Sequence, residues 1–341
     1  MEILIGLLII ALGSLGQSSS YVPLKGVRQW RWESFWLLQS VFAFLLFPAV
    51  GARLGLPQGI TLAELYADAQ VWPVLVYGVL WGVGGLTFGL SMRYLGVALG
   101  QSVALGTCSA LGTLLPALMC GTDLWHGQGV WLMMGVLVTL AGIAVIGYAG
   151  SMRARLTQAD RRQGGGQEAS LLKGLVVALL CGLMSSCFAL GLDAGSDIRA
   201  HVLCLGVPEL YAGLPVVLLI TAGGFLTNAI YCLWENWRNH SFADYASGGL
   251  WVRNTLCCAL AGLLWYSQFF GLEMGKSYLT GHAVLMAFSW SILMALNVTF
   301  SNLWGVVLKE WRGCGRTTAW VLVAGLVLLV GSIVLVAVSQ Q

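Results

Sequence analysis

Ten stretches of at least 19 residues contain no Asp, Glu, Lys or Arg: 3–24, 34–52, 69–92, 94–122, 124–152, 174–192, 210–234, 254–272, 277–308 and 317–341. A helix that crosses the hydrocarbon of a bilayer needs about 20 predominantly apolar residues, so each stretch is long enough to span it. Lipid offers the backbone no hydrogen-bond partners, and runs of this length satisfy their own peptide groups as helices. No gap between them has room for a soluble domain. The composition agrees: 9% of the 341 residues are charged and 58% hydrophobic, whereas about a quarter of a soluble domain is charged. The sequence therefore predicts an all-α integral membrane protein of ten transmembrane helices. A secretory signal carries basic residues ahead of its apolar stretch; here only Glu2 precedes the first run while Lys25, Arg28 and Arg31 follow it, so it reads as a retained helix.

With ten spans, alternate connections share one side of the membrane. Fourteen Lys and Arg residues then fall on one side, and only Arg53, Arg199 and Lys276 on the other. Basic loops stay in the cytoplasm, which predicts both termini outside. The net charge of +3 thus reports topology and a lipid bilayer partner, with no nucleic acid implied. The first cytoplasmic loop, "SSYVPLKGVRQWRWESFW" (19–36), places Trp30 and Trp32 at headgroup level beside cations that meet anionic lipid. It also places Glu33 at the inner start of the second helix. There it caps the helix or pairs with Arg28 or Arg31, or else it carries a proton.

The basic, glycine-containing segment 151–173 divides the chain into 1–150 and 174–341, each with five spans. "GLLIIALGSLGQSSS" from Gly6 matches "GLVVALLCGLMSSCF" from Gly174 in pattern. Trp81 precedes Tyr94–Leu95 by the same 13 residues that separate Trp265 from Tyr278–Leu279, and "FGLSM" (88–92) echoes "FGLEM" (270–274). An odd number of spans turns the second half upside down relative to the first. Two inverted five-helix repeats characterise transporters, with the substrate near the midplane.

No GxSxG, Walker loop or HExxH is present, and the four histidines are isolated, so an enzyme is not expected. The nine cysteines include no CxxC and lie mostly in apolar runs, and neither a metal nor another cofactor is expected. What the spans do contain is amides, hydroxyls and tryptophans. Such side chains suit a neutral, hydroxyl-rich solute, bound by directional hydrogen bonds and by an aromatic face against its C–H side. The candidates are Gln17 on the first helix, Trp81 on the third, Gln101 and Ser102 on the fourth, Trp265 and Gln268 on the eighth, and Trp290 and Asn297 on the ninth. For each amide, interhelical hydrogen bonding competes with substrate contact; for each tryptophan, plain packing does. Proton-coupling candidates are Glu273, Glu33 and His282. Glu273 leads because its neighbours are apolar, and its alternative is an exposed pair with Lys276.

Several motifs resemble those of the L-rhamnose/proton symporters, a branch of the drug/metabolite transporter superfamily. They are the segment Tyr21, Pro23, Lys25, Val27, Trp30, Trp32, Glu33 and Trp36; "MRYLG" (92–96); "WYSQFF" (265–270); Ser289 with Trp290; and "LKEW" (308–311). Together they reach from the first helix to the loop before the tenth. The resemblance implies a ten-helix drug/metabolite transporter fold, both termini periplasmic, importing L-rhamnose with a proton across the bacterial inner membrane. The residues alone also admit a drug or metabolite exporter on the same fold, or a non-transporting membrane sugar sensor.

Overall fold

The computed structural model describes residues 1–67, 69–95, 97–157, 167–246 and 248–340. The three consecutive glycines of the 151–173 segment, with Arg161 and Arg162, and Gly96 of the MRYLG motif lie outside the described residues. Among the described residues there is no strand. Ten helices are long and apolar enough to cross a membrane: α1 (Glu2–Leu24), α2 (Trp32–Leu54), α3 (Val71–Leu95), α4 (Leu99–Met119), α5 (Gly129–Leu156), α6 (Leu172–Cys204), α7 (Glu209–Arg238), α8 (Gly248–Ser277), α9 (Ala283–Val307) and α10 (Gly315–Val338). Each overlaps one uncharged run. Several continue past it, α8 by carrying Arg253 at one end and Glu273 with Lys276 at the other.

Contacts divide the chain into two compact units, each drawing on both halves of the sequence. Unit 1 is Met1–Gly82 with Leu190–Tyr278; unit 2 is Val83–Ala189 with Leu279–Gln341. The divisions fall inside α3, inside α6, and between α8 and α9.

In unit 1, α1 lies along α8 at backbone distance. A Cβ on Gly13 would stand 2.5 Å from the Ser267 carbonyl oxygen and 3.2 Å from the Gly271 Cα, so only glycine fits there. Helices in lipid gain most of their attraction from such close approach, and Ser267 adds a hydroxyl donated to the Gly13 carbonyl at 3.0 Å. Helices α2 and α7 pack on each other and on α8. Helix α2 is not regular: Val41–Leu46 forms a π-helical turn, with Pro48 just beyond it. Proline has no N–H to return to the carbonyl four residues earlier, and its ring crowds that carbonyl, so the wider turn relieves the conflict.

In unit 2, α4 packs on α5 and α9, and α5 packs on α10. Hydroxyls join these helices: Ser291 lies 2.9 Å from Ser109 and 2.8 Å from Thr113, and Thr139 donates to Ser332 at 2.9 Å. Each pair satisfies polar groups that lipid cannot. Phe288, Leu293 and Leu329 fill the space between them, fully buried.

Candidate functional site

Unit 1 gathers four aromatic rings from three helices. Helix α3 supplies Trp81, α8 supplies Trp265 and Phe269 one turn apart, and the π-helical turn of α2 supplies Phe44. Ring centroids are 4.6 Å apart for Phe44–Trp265, 5.4 Å for Phe44–Trp81 and 5.9 Å for Trp81–Trp265. Phe269 meets Trp265 edge-on at 5.3 Å and Trp81 at 6.3 Å. These separations are those of favourable aromatic pairs, each worth about 0.5–1.5 kcal/mol beyond the area it buries. The benzo edge of Trp81 rests on Gly224 of α7, where any Cβ would collide with it. Phe44 was not singled out by the sequence; Pro48, which widens the turn carrying it, is the signal that marks the place.

One predicted amide borders this cluster and a second lies on the neighbouring α1. Gln268, buried one turn from Trp265, donates Nε2–H to the Trp265 carbonyl at 3.2 Å. Gln17, half-buried, lies one turn along α1 from Gly13, which packs on the Gln268 backbone; its Oε1 accepts from Ser18 at 3.3 Å.

Several buried polar atoms of unit 1 have no hydrogen-bond partner among the described residues, including Ser14 Oγ, Asn228 Nδ2, Thr255 Oγ1 and the Tyr266 hydroxyl. A buried donor or acceptor left unpaired costs about 1–3 kcal/mol. Asn228 lies one turn from Gly224, the residue beneath Trp81, and the sequence reading missed it too.

Glu273, near the C-terminal end of α8, is 4% exposed. Its Oε1 accepts from Lys276 Nζ at 3.0 Å, and its carboxylate lies against Gly213, the N-cap of the helix Leu214–Arg238. A helix N-terminus carries a partial positive charge that favours an anion. The pairing with Lys276 therefore forms as one reading had it, but the carboxylate is buried instead of exposed.

Glu33 is 1% exposed at the start of the helix Trp32–Ser40. Its Oε1 accepts from Ser241 Oγ at 2.8 Å and Asn239 Nδ2 at 3.0 Å. The expected pairing with Arg28 or Arg31 is replaced by these neutral donors. The arginines are held elsewhere: the Arg28 backbone by both amide ends of Asn254, the Arg31 backbone by Asp244 and its guanidinium by the Asn239 carbonyl. The physical reason is the chain reversal after Arg238, where Asn239 as helix C-cap and Ser241 at the head of the 3-10 turn Ser241–Ala246 bring amide and hydroxyl onto the carboxylate. The same turn brings Tyr245 against Trp30 at 5.3 Å, edge to face, which buries Trp30 away from the expected headgroup belt; Trp32 stays exposed. Burial pushes the Tyr245 phenol up to about 12, so at neutral pH it keeps the proton that it donates to the Ser34 carbonyl at 2.9 Å.

The remaining candidates belong to unit 2. Trp290 is 5% exposed, donates Nε1–H to the Cys108 carbonyl at 3.2 Å and stacks on Phe188 at 5.5 Å. Its indole packs against Gly112 of α4. Gln101 and Ser102 are half-buried near the start of α4, two turns from Cys108. Asn297, two turns beyond Trp290 on α9, is also half-buried. His282 is the N-cap residue of the helix Ala283–Val307, without a side-chain capping bond.

Comparison with known proteins adds an independent finding. The profile of a family described as L-rhamnose-proton symport protein (RhaT) matches residues 1–340. An L-rhamnose-proton symporter of Cronobacter sakazakii (strain ATCC BAA-894) is 34% identical over 340 residues, covering 96% of this chain and 95% of the relative. One from Klebsiella pneumoniae (strain 342) is 33% identical over 332 residues, covering 94% and 93%. One from Yersinia pestis bv. Antiqua (strain Antiqua) is 31% identical over 339 residues, covering 96% and 95%.

Proposed function

Because the chain belongs to the L-rhamnose-proton symport protein family, we propose that it imports L-rhamnose, or a close 6-deoxyhexose, together with a proton across the bacterial inner membrane. The observation that carries this reading within the molecule is the meeting of Trp81 and Trp265. Each indole offers a flat face to the C–H side of a sugar, the Gln268 amide lies one turn from Trp265, and Gln17 on α1 is a further proposed contact. In unit 2, Gln101, Ser102 and Asn297 are the proposed sugar contacts, with Trp290 as scaffold because its N–H and one face are already engaged. The protein performs transport without enzymatic chemistry. The exporter and sensor readings draw no support from the family match.

The architecture we propose is the drug/metabolite transporter fold, with inverted repeats 1–150 and 174–341 joined by the cytoplasmic linker 151–173 and both termini periplasmic. Three kinds of observation support it. The basic residues divide fourteen to three. Helix pairs come in twos related by exchange of the halves: α4 on α5 corresponds to α9 on α10, while α2 on α7, α4 on α9 and α5 on α10 join each helix to its own counterpart. Individual contacts repeat as well. Gly13 packs on the Gln268 backbone, and their counterparts Cys181 and Gly84 are joined by a thiol donated to a carbonyl at 3.2 Å.

The rings are closed on one another in this conformation. A sugar stacked on Trp265 needs the place that Phe44 fills, 4.6 Å from that indole. Phe44 must therefore swing out for the sugar to enter, and the π-helical turn that holds it supplies the backbone freedom; such turns recur at functional sites. Glu273 is the proposed proton site, with Glu33 and His282 as further candidates. When Glu273 takes up a proton from the outside, it gives up the charge that holds both Lys276 and the N-terminus of the helix Leu214–Arg238. It sits five residues beyond Gln268, about 7–8 Å along α8, so protonation and sugar binding act on one rigid helix. Both ligands then leave together when the opposite face opens.

The test is uptake of radiolabelled L-rhamnose into energised right-side-out vesicles without sodium. Uptake that a protonophore abolishes, that unlabelled rhamnose blocks, and that vesicles lacking the protein do not show, is the expected result. Inserted protein that takes up no rhamnose under any ion gradient overturns the proposal.

A further inference from the structure

Trp36 on α2 donates its Nε1–H to Asn228 Oδ1 at 3.0 Å. An indole nitrogen can only donate, so chemistry fixes which end of this amide is oxygen and which is nitrogen. The Nδ2 group is thereby turned away from Trp36. It is buried, on a residue 5% exposed, and it meets no acceptor among the described residues. Native proteins keep few such groups, and each asks for a partner.

The position of the group says what the partner is. Asn228 follows Gly224 by one helical turn, so it lies on the same face of α7, about 6 Å from the residue on which Trp81 rests. A pyranose ring spans a similar distance. One residue earlier on α7, Thr227 donates its hydroxyl to the Val79 carbonyl of α3 at 3.1 Å, which ties this turn to the helix bearing Trp81. The amide presents hydrogen toward the ligand and not oxygen, which suits a hydroxyl or ring oxygen and offers nothing to a cation.

We infer that Asn228 is a sugar-recognising residue: its Nδ2–H donates to an oxygen of the sugar that stacks on Trp81 and Trp265, and Trp36 is the positioning residue that aims it. The inference rests on the aromatic cluster being the sugar site. It explains why a donor is left unpaired in the sugar-free protein, since the ligand completes it.

The experiment measures L-rhamnose affinity and the sugar-free thermal midpoint of the purified full-length protein in detergent, for Asn228→Leu, Trp36→Phe and Trp265→Ala. Asn228→Leu removes a donor that has no partner before sugar arrives. Its affinity should fall at least tenfold while its midpoint stays level or rises. Trp36→Phe keeps the donor but frees its direction, so affinity should fall about threefold to fivefold with a small drop in midpoint; it also serves if leucine prevents folding. An Asn228→Leu protein that binds rhamnose like wild type, while Trp265→Ala does not, overturns the role of Asn228 and leaves the cluster standing. A midpoint that falls with affinity in Asn228→Leu also overturns it, because the donor then serves the fold, through a bound water or otherwise. Wild-type affinity in Trp265→Ala overturns the cluster itself.

Discussion

Trp265 in unit 1 and Trp290 in unit 2 sit on long apolar helices, yet their environments differ in kind. Trp290 is 5% exposed, with its N–H on the Cys108 carbonyl and its face on Phe188. The hydroxyls on its own and neighbouring helices, Ser291 with Ser109 and Thr113, Thr139 with Ser332, are likewise paired. Trp265 is half-buried, meets the rings of Phe44, Trp81 and Phe269, and makes no N–H hydrogen bond among the described residues. The unpartnered Ser14, Asn228 and Tyr266 atoms belong to the same unit. Unit 2 uses these hydroxyls to join helices, whereas unit 1 keeps the Ser14, Asn228 and Tyr266 atoms in reserve. Unused hydrogen-bonding capacity beside aromatic faces suits a binding role, whereas an indole whose N–H and face are both engaged serves as scaffold.

The largest expected effect tests whether that reserve is coupled to protons. Glu273→Gln keeps a hydrogen-bonding side chain over Gly213 but cannot carry charge. Protonophore-sensitive accumulation should be lost, while rhamnose counterflow, which needs no net proton movement, persists within about twofold at about 1.4 kcal/mol per tenfold. Because Lys276 then lacks its partner, the double variant Glu273→Gln with Lys276→Met serves as the control for folding. Accumulation that survives in both variants removes Glu273 from the proton path.

Next comes a matched pair of truncations. Trp265→Ala, and with it Gln268→Ala, should weaken rhamnose affinity tenfold or more with modest loss of thermal midpoint. Trp290→Ala should do the reverse: a stability loss of about 3–5 kcal/mol, as for large buried aromatics, with affinity in the surviving protein unchanged within about twofold. Equal effects of the two on affinity would erase the distinction between reserve and scaffold.

Phe44→Ala is a subtler test, since it removes the ring that occupies the proposed sugar's place while keeping both indoles. Affinity should rise severalfold by equilibrium binding, about 1 kcal/mol on the usual scale. A fall of similar size means that Phe44 is part of the platform and not its plug. The smallest change is Ser291→Ala, which takes one hydroxyl from the α4–α9 contact and should lower stability by about 1 kcal/mol without altering transport.

Much of this was legible in the chain. The places of the ten helices follow from the spacing of the charges, since lipid penalises a charge wherever it falls within a span. Trp81 and Trp265 stood out through their shared spacing from Tyr–Leu pairs. Glu33 was legible as an unusual charge but its partners were not: Asn239 and Ser241 lie more than 200 positions away and reach it only after a 3-10 turn closes. Phe44 was hidden for another reason. A regular helix would turn it elsewhere, and its direction depends on the wide turn before Pro48.

What the sequence determined by itself was therefore everything the bilayer dictates: which segments enter it, how many there are, and which residue types were available to bind a neutral solute. Those are properties of composition along a line, because transfer into lipid acts on each segment separately. Only the tertiary structure decided which of those groups are used up. Whether an indole N–H or an amide is engaged depends on an acceptor brought from a distant helix, as Cys108 is for Trp290 and Asn228 for Trp36, and a hydrogen bond forms only within about 3 Å. Two tryptophans on apolar helices look alike in the sequence, and only the fold shows that the N–H of Trp290 is engaged by a distant carbonyl.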